Sequence, residues 1–495
     1  MSNTTAYQDL AQRQRDIALL GSTQAVLGWD QETQMPSAAV ENRAAQLGQL
    51  TRISHQMQTD SALGELLQGA TEVVTSDDER CNVHHWSKGW ERATRVPEEL
   101  AVSLSEASSV AMAAWQQARA DDDFAVFAPH LETLVSLKRR EAEAIGWADG
   151  GEAWDALADE FDPGMTAASV TAVFVPLRDA LVALQAELPP PAPSASHGLD
   201  ALPGDKQTAF LKTLMARMGF SFEGGVMATS THPFCTSLGA GDVRMTMRRD
   251  EASLLTALGS SMHECGHALY EQGLPNAFSG QPRGSYNGLS IHESQSRLWE
   301  NHVGRSRAFW HWYAAEIARE FDLGSLDAEA LYREVNRSEA GLIRVEADQA
   351  TYDLHIMVRF ELERALLNGE LKPRDLPAAW NAHYRDYLGI EPDTNAEGCL
   401  QDIHWSMGAM GYFPTYTLGN LYAAQFFAAA KTALPGLEDQ IGSGEFAPLL
   451  DWLRTQIHDR GRLLSPAALC VEVTGQPLSA EPMLAHLRDL HGIAT

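Results

Sequence analysis

Over most of this chain apolar side chains recur three or four positions apart, a spacing that admits little besides α-helix. Residues 99–120 (ELAVSLSEASSVAMAAWQQARA), 126–146, 166–188 and 326–368 are rich in Ala, Leu, Glu and Arg, which lose little side-chain freedom in a helix. The expected class is mainly α. One segment departs from the pattern. Residues 220–249 hold Gly224, Gly225, Gly239 and Gly241 and close on the alternation DVRMTMR, which predicts a small antiparallel sheet.

Segment 188–204, LPPPAPSASHGLDALPG, carries five prolines and cannot continue a helix, so it reads as an exposed connection. It divides a single domain, 1–495, into a helical part, 1–204, and a part, 205–495, that holds most of the chemically informative residues. No internal repeat is visible. Lys and Arg supply 37 positive charges against 66 from Asp and Glu, and a net charge of −29 argues against nucleic acid or an anionic membrane as partner. The five cysteines are scattered and odd in number, with no CxxC, so neither a disulfide framework nor a cysteine zinc knuckle is expected. The start, MSNTTAYQDLAQRQRD, lacks an apolar h-region, and no uninterrupted apolar run reaches the length of about 18 residues that spans a bilayer. A soluble cytoplasmic protein is the expectation.

Within SSMHECGHALYEQG, residues His263, Glu264 and His267 form an HExxH pattern. On a helix, two imidazoles four residues apart lie on one face and reach a single metal ion, and the adjacent carboxylate is placed to take a proton from water. The flanking LLTALGSSM and ALYEQ keep the helical period, and Gly273 is placed to end the helix. That context weighs against a chance pair of surface histidines.

Two histidines leave a catalytic zinc one protein ligand short, with a further position open for water. LSIHESQSRLWEN offers Glu293, 26 residues beyond His267 and past the turn-rich PNAFSGQPRGSYNG. That length lets the chain reverse and lay a second helix beside the first. His292 and His302 are rival ligands. His292 points away from Glu293 on any helix, and His302 needs the helix turned differently. An acidic residue in a first helical turn also satisfies the helix dipole without any metal.

Taken together, the separated motifs resemble one family. HECGH at 263–267, HESQSRLW at 292–299, IRVEAD at 343–348, HPF at 232–234, DVRMT at 242–246 and GCLQDIHW at 398–405 are similar to segments of the carboxypeptidase Taq family of zinc metallocarboxypeptidases. LGWDQETQMP at 27–36 and GYFPTYTLGN at 411–420 look like it too, so the resemblance covers nearly the whole chain. It implies His263, His267 and Glu293 as metal ligands and Glu264 as general base, the same four residues that spacing singles out. It also implies a large helical peptidase with a deep central cleft, related to neurolysin-like and angiotensin-converting-enzyme-like peptidases, and a homodimer. Zinc is the implied metal, with cobalt or another divalent ion as the alternative, because similar N and O sites bind several. Cys265 falls at a variable position inside the motif, pointing elsewhere on the helix.

Peptide hydrolysis needs donors for the developing oxyanion, and the candidates are His404 in QDIHW with Tyr412 or Tyr416 in GYFPTY. For each tyrosine a buried ring with a satisfied hydroxyl is an equal reading. A carboxypeptidase must also hold a terminal carboxylate, a task suited to the planar fork of arginine. Arg344 in IRVEAD, favoured by the resemblance, and Arg244 in DVRMT are the candidates, with Tyr412 as a further contact. Each has a plainer reading: Arg344 paired with Asp348 at i,i+4 on a helix surface, and Arg244 bracing the site through Asp242. HPF is expected to position a loop beside the cleft.

The expected activity is removal of single C-terminal residues from peptides with a free carboxylate, with broad side-chain tolerance. An oligoendopeptidase or dipeptidyl carboxypeptidase with the same zinc site is the first rival. A helical scaffold with structural zinc is the second; a structural site is closed by four protein ligands, whereas this sequence offers three and a base.

Overall fold

The computed structural model describes residues 3–493 apart from 192, 201, 231 and 249–252. Helices dominate. Glu98–Asp121, Phe124–Ile145 and Ala167–Glu187 stand where the apolar spacing places them. Local chemistry sets several starts: the Ser76 and Thr166 hydroxyls accept from the backbone three residues on, in capping boxes for Asp77–Arg95 and Ala167–Glu187.

One continuous apolar core runs from Ala111 to Leu487, joining residues from both sides of the proline-rich segment. Its described residues are non-helical between Glu187 and Gly204, with the Ser194 hydroxyl donating to Glu334 across the surface. A smaller cluster of Leu10, Ile17, Leu63, Leu67, Val83 and Trp86 packs the N-terminal helix, Asn3–Thr33, onto Ser61–Thr71 and Asp77–Arg95. The helix Ala167–Glu187 is long and apolar enough to cross a membrane; here it buries Val170, Phe174, Leu177 and Leu181 in the core, and its Arg178 bonds the Tyr387 hydroxyl.

Two expectations need correction. The helical run 326–368 is broken into Ala328–Val335 and Tyr352–Asn368, joined by irregular chain and one short turn, Arg344–Glu346. Asp348 explains the break. Its carboxylate accepts from the Ser338 and Thr351 hydroxyls and from the Glu339 and Ala350 N–H groups, holding the chain in a loop.

The sheet is mixed rather than antiparallel. Its strands are β1 (Gly225–Ser230), β2 (Cys235–Gly239) and β3 (Asp242–Arg248), in the order β1-β3-β2. β2 and β3 form an antiparallel hairpin, while β3 returns between its predecessors and so runs parallel to β1. Period-two alternation reports which side chains face the core, here Val243, Met245 and Met247, and is silent on neighbour direction. Residues 231 and 249 of the expected segment lie outside the described residues.

Candidate active site and metal centre

The motif helix, Leu254–Gly273, presents His263, Glu264 and His267. It stops at Gly273, where any Cβ would collide with the His458 ring, and Pro275 follows. Two short turns then reverse the chain into the ligand helix, Leu289–Arg297, which carries Glu293. These helices approach unusually closely because Gly266 faces backbone: a Cβ there would stand 2.6 Å from the Gln295 carbonyl oxygen and from the Ser296 Cα.

This packing brings the three ligands together. Glu293 Oε2 lies 3.4 Å from His267 Nε2 and 3.6 Å from His263 Nε2, and one ligand atom from each residue falls within 4.8 Å of the others. Glu300 Oε2 lies 2.9 Å from His263 Nδ1. A carboxylate there holds the proton on Nδ1 and turns the Nε2 lone pair toward the triad. Arg297 Nε donates to Glu293 Oε1 at 2.7 Å, leaving Oε2 to face the histidines, and Arg297 and Arg305 both donate to Glu300. Two imidazole nitrogens and one carboxylate oxygen, converging with the outer atoms of His263 and Glu293 already bonded, fit a divalent cation of the zinc class.

The electrostatics agree. Burial opposes the charge on Glu293, but Arg297 and the two histidines override it and hold the carboxyl well below its usual range. Burial lowers His267 to about 3, so its imidazole is neutral and available as a ligand. Among the described residues no cation hydrogen-bonds Glu264, and burial pushes it up to about 7 against the pull of His263, a value suited to accepting and returning a proton near neutrality.

The rival histidines stay outside the triad. His292 stacks on His267 with ring centroids 4.3 Å apart and bonds Glu271 at 3.0 Å, while His302 packs against Phe427 and His486. Cys265 is fully buried, and burial raises its thiol far above the neutral range.

Sequence reading missed Glu300, Arg297 and Arg305. A signal existed: 293, 297 and 300 share a helix face at i, i+4 and i+7. The helix loosens to π form over Leu298–Gly304, the stretch carrying Glu300, and such turns are frequent at functional sites.

A second cluster gathers Arg344, His404, Tyr412 and Tyr416. Arg344 Nη2 and Nε donate to Asp402 Oδ1 at 2.7 and 3.1 Å, and Nη1 donates to the Tyr352 hydroxyl at 3.1 Å. Its partner is therefore Asp402, not Asp348. Arg359, fully buried, donates to the other oxygen of Asp402 at 2.6 Å. Two guanidinium groups share one carboxylate, which leaves a net positive charge. His404 Nε2 lies 3.3 Å from the Tyr416 hydroxyl, with the Tyr412 ring 5.2 Å from the imidazole; burial lowers His404 to about 4, so it is neutral. Tyr352 links the two clusters, its ring under the Arg297 guanidinium at 4.5 Å and its hydroxyl on Arg344. Arg244 stands apart, in a bidentate pair with Asp242 (both contacts 2.8 Å) and over the Trp29 ring, which also meets Phe234 of HPF.

A cleft of about 680 Å³ opens beside the metal centre, lined by the N-terminal helix, β2, Glu271, Tyr286 and His292.

Comparison with known proteins places this arrangement. The family model described as carboxypeptidase Taq (M32) metallopeptidase matches residues 9–490. The chain is 43% identical to thermostable carboxypeptidase 1 of Thermus thermophilus, over 98% of each chain, and 36% identical to carboxypeptidase 1 of Bacillus subtilis, over 94% of each. The crystal structure of an M32 carboxypeptidase from Deinococcus radiodurans superposes with a TM-score of 0.94 at 40% identity, covering 99% of this chain and 100% of that one. Trypanosoma cruzi metallocarboxypeptidase 1 gives 0.92 at 31% identity, covering 98% and 99%. A bundled helical architecture around an HExxH centre and similarity along the full length converge on one conclusion: the chain belongs to the carboxypeptidase Taq family of metallopeptidases, peptide hydrolases that depend on a metal ion.

Proposed function

We propose that this enzyme removes single amino acids from the free C-terminus of peptides, with broad tolerance of side chain, using zinc held by His263, His267 and Glu293. The observation that carries this reading is the net-positive cluster of Arg344, Arg359 and Asp402 joined through Tyr352 to the metal triad. A chain of net charge −29 repels a carboxylate in general, and this buried excess of one positive charge supplies a local attraction.

When bound, the ion supplies Lewis acidity and lowers the pKa of a coordinated water to about 7. Glu264 takes a proton from the attacking water and returns it to the leaving amine. The hydroxyl of Tyr416, held by neutral His404, and that of Tyr412 donate toward negative charge developing on the scissile carbonyl. Arg344 reorients from Asp402 onto the terminal carboxylate, with Arg359 keeping Asp402 neutralised. Arg244 braces β3 through Asp242. The same reading places the enzyme in the cytoplasm as a homodimer acting on peptides, without a nucleic-acid or membrane partner.

The test is mass spectrometry of one mixed-sequence peptide, with free and amidated C-termini, incubated with zinc-loaded enzyme, chelated enzyme and Glu264→Gln. Stepwise loss of single residues from the free terminus alone, abolished by chelation and by the substitution, is expected. Internal cuts or released dipeptides would instead make it an oligoendopeptidase or a dipeptidyl carboxypeptidase. No cleavage would favour a structural metal.

A further inference from the structure

We propose that a monovalent cation of the sodium or potassium class binds behind the ligand helix, held by Asn301 Oδ1, Asp353 Oδ2 and Asn420 Oδ1. This goes beyond the peptidase reading and holds whichever peptide bond is cut.

A cavity of about 20 Å³ lies where the π-form stretch Leu298–Gly304, the loop at 347–349 and the helices Tyr352–Asn368, Pro414–Ala433 and Glu481–Leu490 meet. Asn301, Asp353 and Asn420 all line it, Asp353 only 1% exposed and the two asparagines 9% each. Among the described residues, these three side-chain oxygens have no hydrogen-bond partner. Neighbouring bonds fix which atoms are left over. Asp353 Oδ1 accepts from the Thr417 hydroxyl at 2.7 Å and from Asn420 Nδ2 at 2.8 Å, so Asp353 Oδ2 and Asn420 Oδ1 are the remaining acceptors. A buried oxygen without a donor costs free energy, and three around one cavity favour an occupant that is positively charged.

Charge selects the same way. Asp353 forms no ion pair among the described residues, and burial raises its carboxyl to about 6, so it is ionised at neutral pH. The two guanidinium groups at the cavity are committed elsewhere: Arg297 donates to Glu293 and Glu300, and Arg305 to Glu300 and the Val335 carbonyl. Asp348 is already filled by the Ser338 and Thr351 hydroxyls and two backbone N–H groups. Burial holds His302 well below its ordinary value and His486 at about 4, so neither ring adds a positive charge. The Asp353 charge is left without a cationic partner.

The donor set selects a monovalent ion. Oxygen donors suit alkali and alkaline-earth cations rather than the zinc class. Calcium takes about six to eight oxygens, and a single carboxylate oxygen with two neutral amides falls short of that. The cavity has room for one ion and about one water. Asn301 follows Glu300, the residue that orients His263, so an ion here ties the stretch behind the metal centre to the two long helices that carry Asp353 and Asn420.

Thermal unfolding of the zinc-loaded full chain tests this. Sodium or potassium chloride is titrated against tetramethylammonium chloride, whose cation is too large for the cavity, at fixed ionic strength. A saturable rise in Tm of about 1–3 °C is expected with a small cation, and the ion that gives the larger rise is the one the site prefers. Asp353→Asn removes the charge and should abolish the rise; Asn301→Ala removes one neutral ligand and should at least halve it, which gives a second reading if the first variant does not fold. No rise in the wild type, or a parental rise in either variant, overturns the proposal. Crystals soaked in thallium(I) nitrate locate the ion directly: an anomalous peak among the three oxygens supports the site, and a water in its place overturns it.

Discussion

Gly419 meets Glu293 where no larger residue fits: a Cβ at 419 would stand 2.6 Å from the Glu293 Cγ and 2.7 Å from its Cβ. Gly419 lies on the helix Pro414–Ala433, which packs along the ligand helix. With Gly266 against Gln295 and Ser296, two glycines set the position of the carboxylate ligand. Gly419→Ala should cost about 1–3 kcal/mol and displace Glu293. Thermal unfolding and metal content after dialysis check this; parental values for both would remove the packing argument. Gly266→Ala should be worse, because its Cβ meets backbone.

Glu300 acts through His263. Glu300→Gln keeps an acceptor for Nδ1 but loses the charge that pairs with Arg297 and Arg305. Metal affinity should fall about 10- to 100-fold. Competition with a chromogenic chelator measures it without reference to turnover, and an unchanged affinity would leave Glu300 a purely structural role.

Asp402 is the one counter-charge that two buried arginines share. Asp402→Asn leaves both guanidinium groups without a counter-charge and should destabilise the fold by about 3–5 kcal/mol. Urea unfolding reads this directly. A loss below about 1 kcal/mol would mean that water reaches the cluster and screens it.

Glu363 lies in the core and accepts from the Trp154 and Trp405 indoles at 2.8 Å and from the Gly411 N–H at 2.6 Å. Burial raises its carboxyl from 4.5 to about 7 against those three bonds. Because the folded pKa lies above the unfolded one, its contribution to stability is full below about pH 4.5 and is lost as pH rises through 7. Glu363→Gln removes this dependence, so the stability difference between wild type and variant should change by at most about 3 kcal/mol between pH 5 and 8. Unfolding free energies of both proteins at both pH values test it. A constant difference would show that the three donors keep Glu363 ionised throughout. At either pH the variant should be less stable than wild type, since an amide nitrogen must face an indole or backbone N–H.

Part of this protein was settled by local sequence. Apolar spacing identified the helices, and HExxH placed two imidazoles on one helical face, because both depend only on the pitch of a single helix. Glu293 was reachable by the same logic, one reversal of chain away. Helix within 336–351 was a false reading, because Asp348 ties that stretch into a loop with bonds that apolar spacing does not report. The direction of β1 against β3 was likewise invisible, since alternation is the same in either sense.

The sequence by itself determined a mainly helical chain with a two-histidine metal motif and a carboxylate in range. Tertiary structure alone decided which charges remain free. Arg344 finds its carboxylate 58 positions away, the same one that Arg359 uses, and His263 finds Glu300 37 positions away. Such pairings arise where segments distant in sequence meet, and the meeting depends on close approaches such as Gly266 on Ser296, which no local pattern encodes. Residue types supply the chemistry; packing sets which groups are neutralised, which are buried, and which face the cleft.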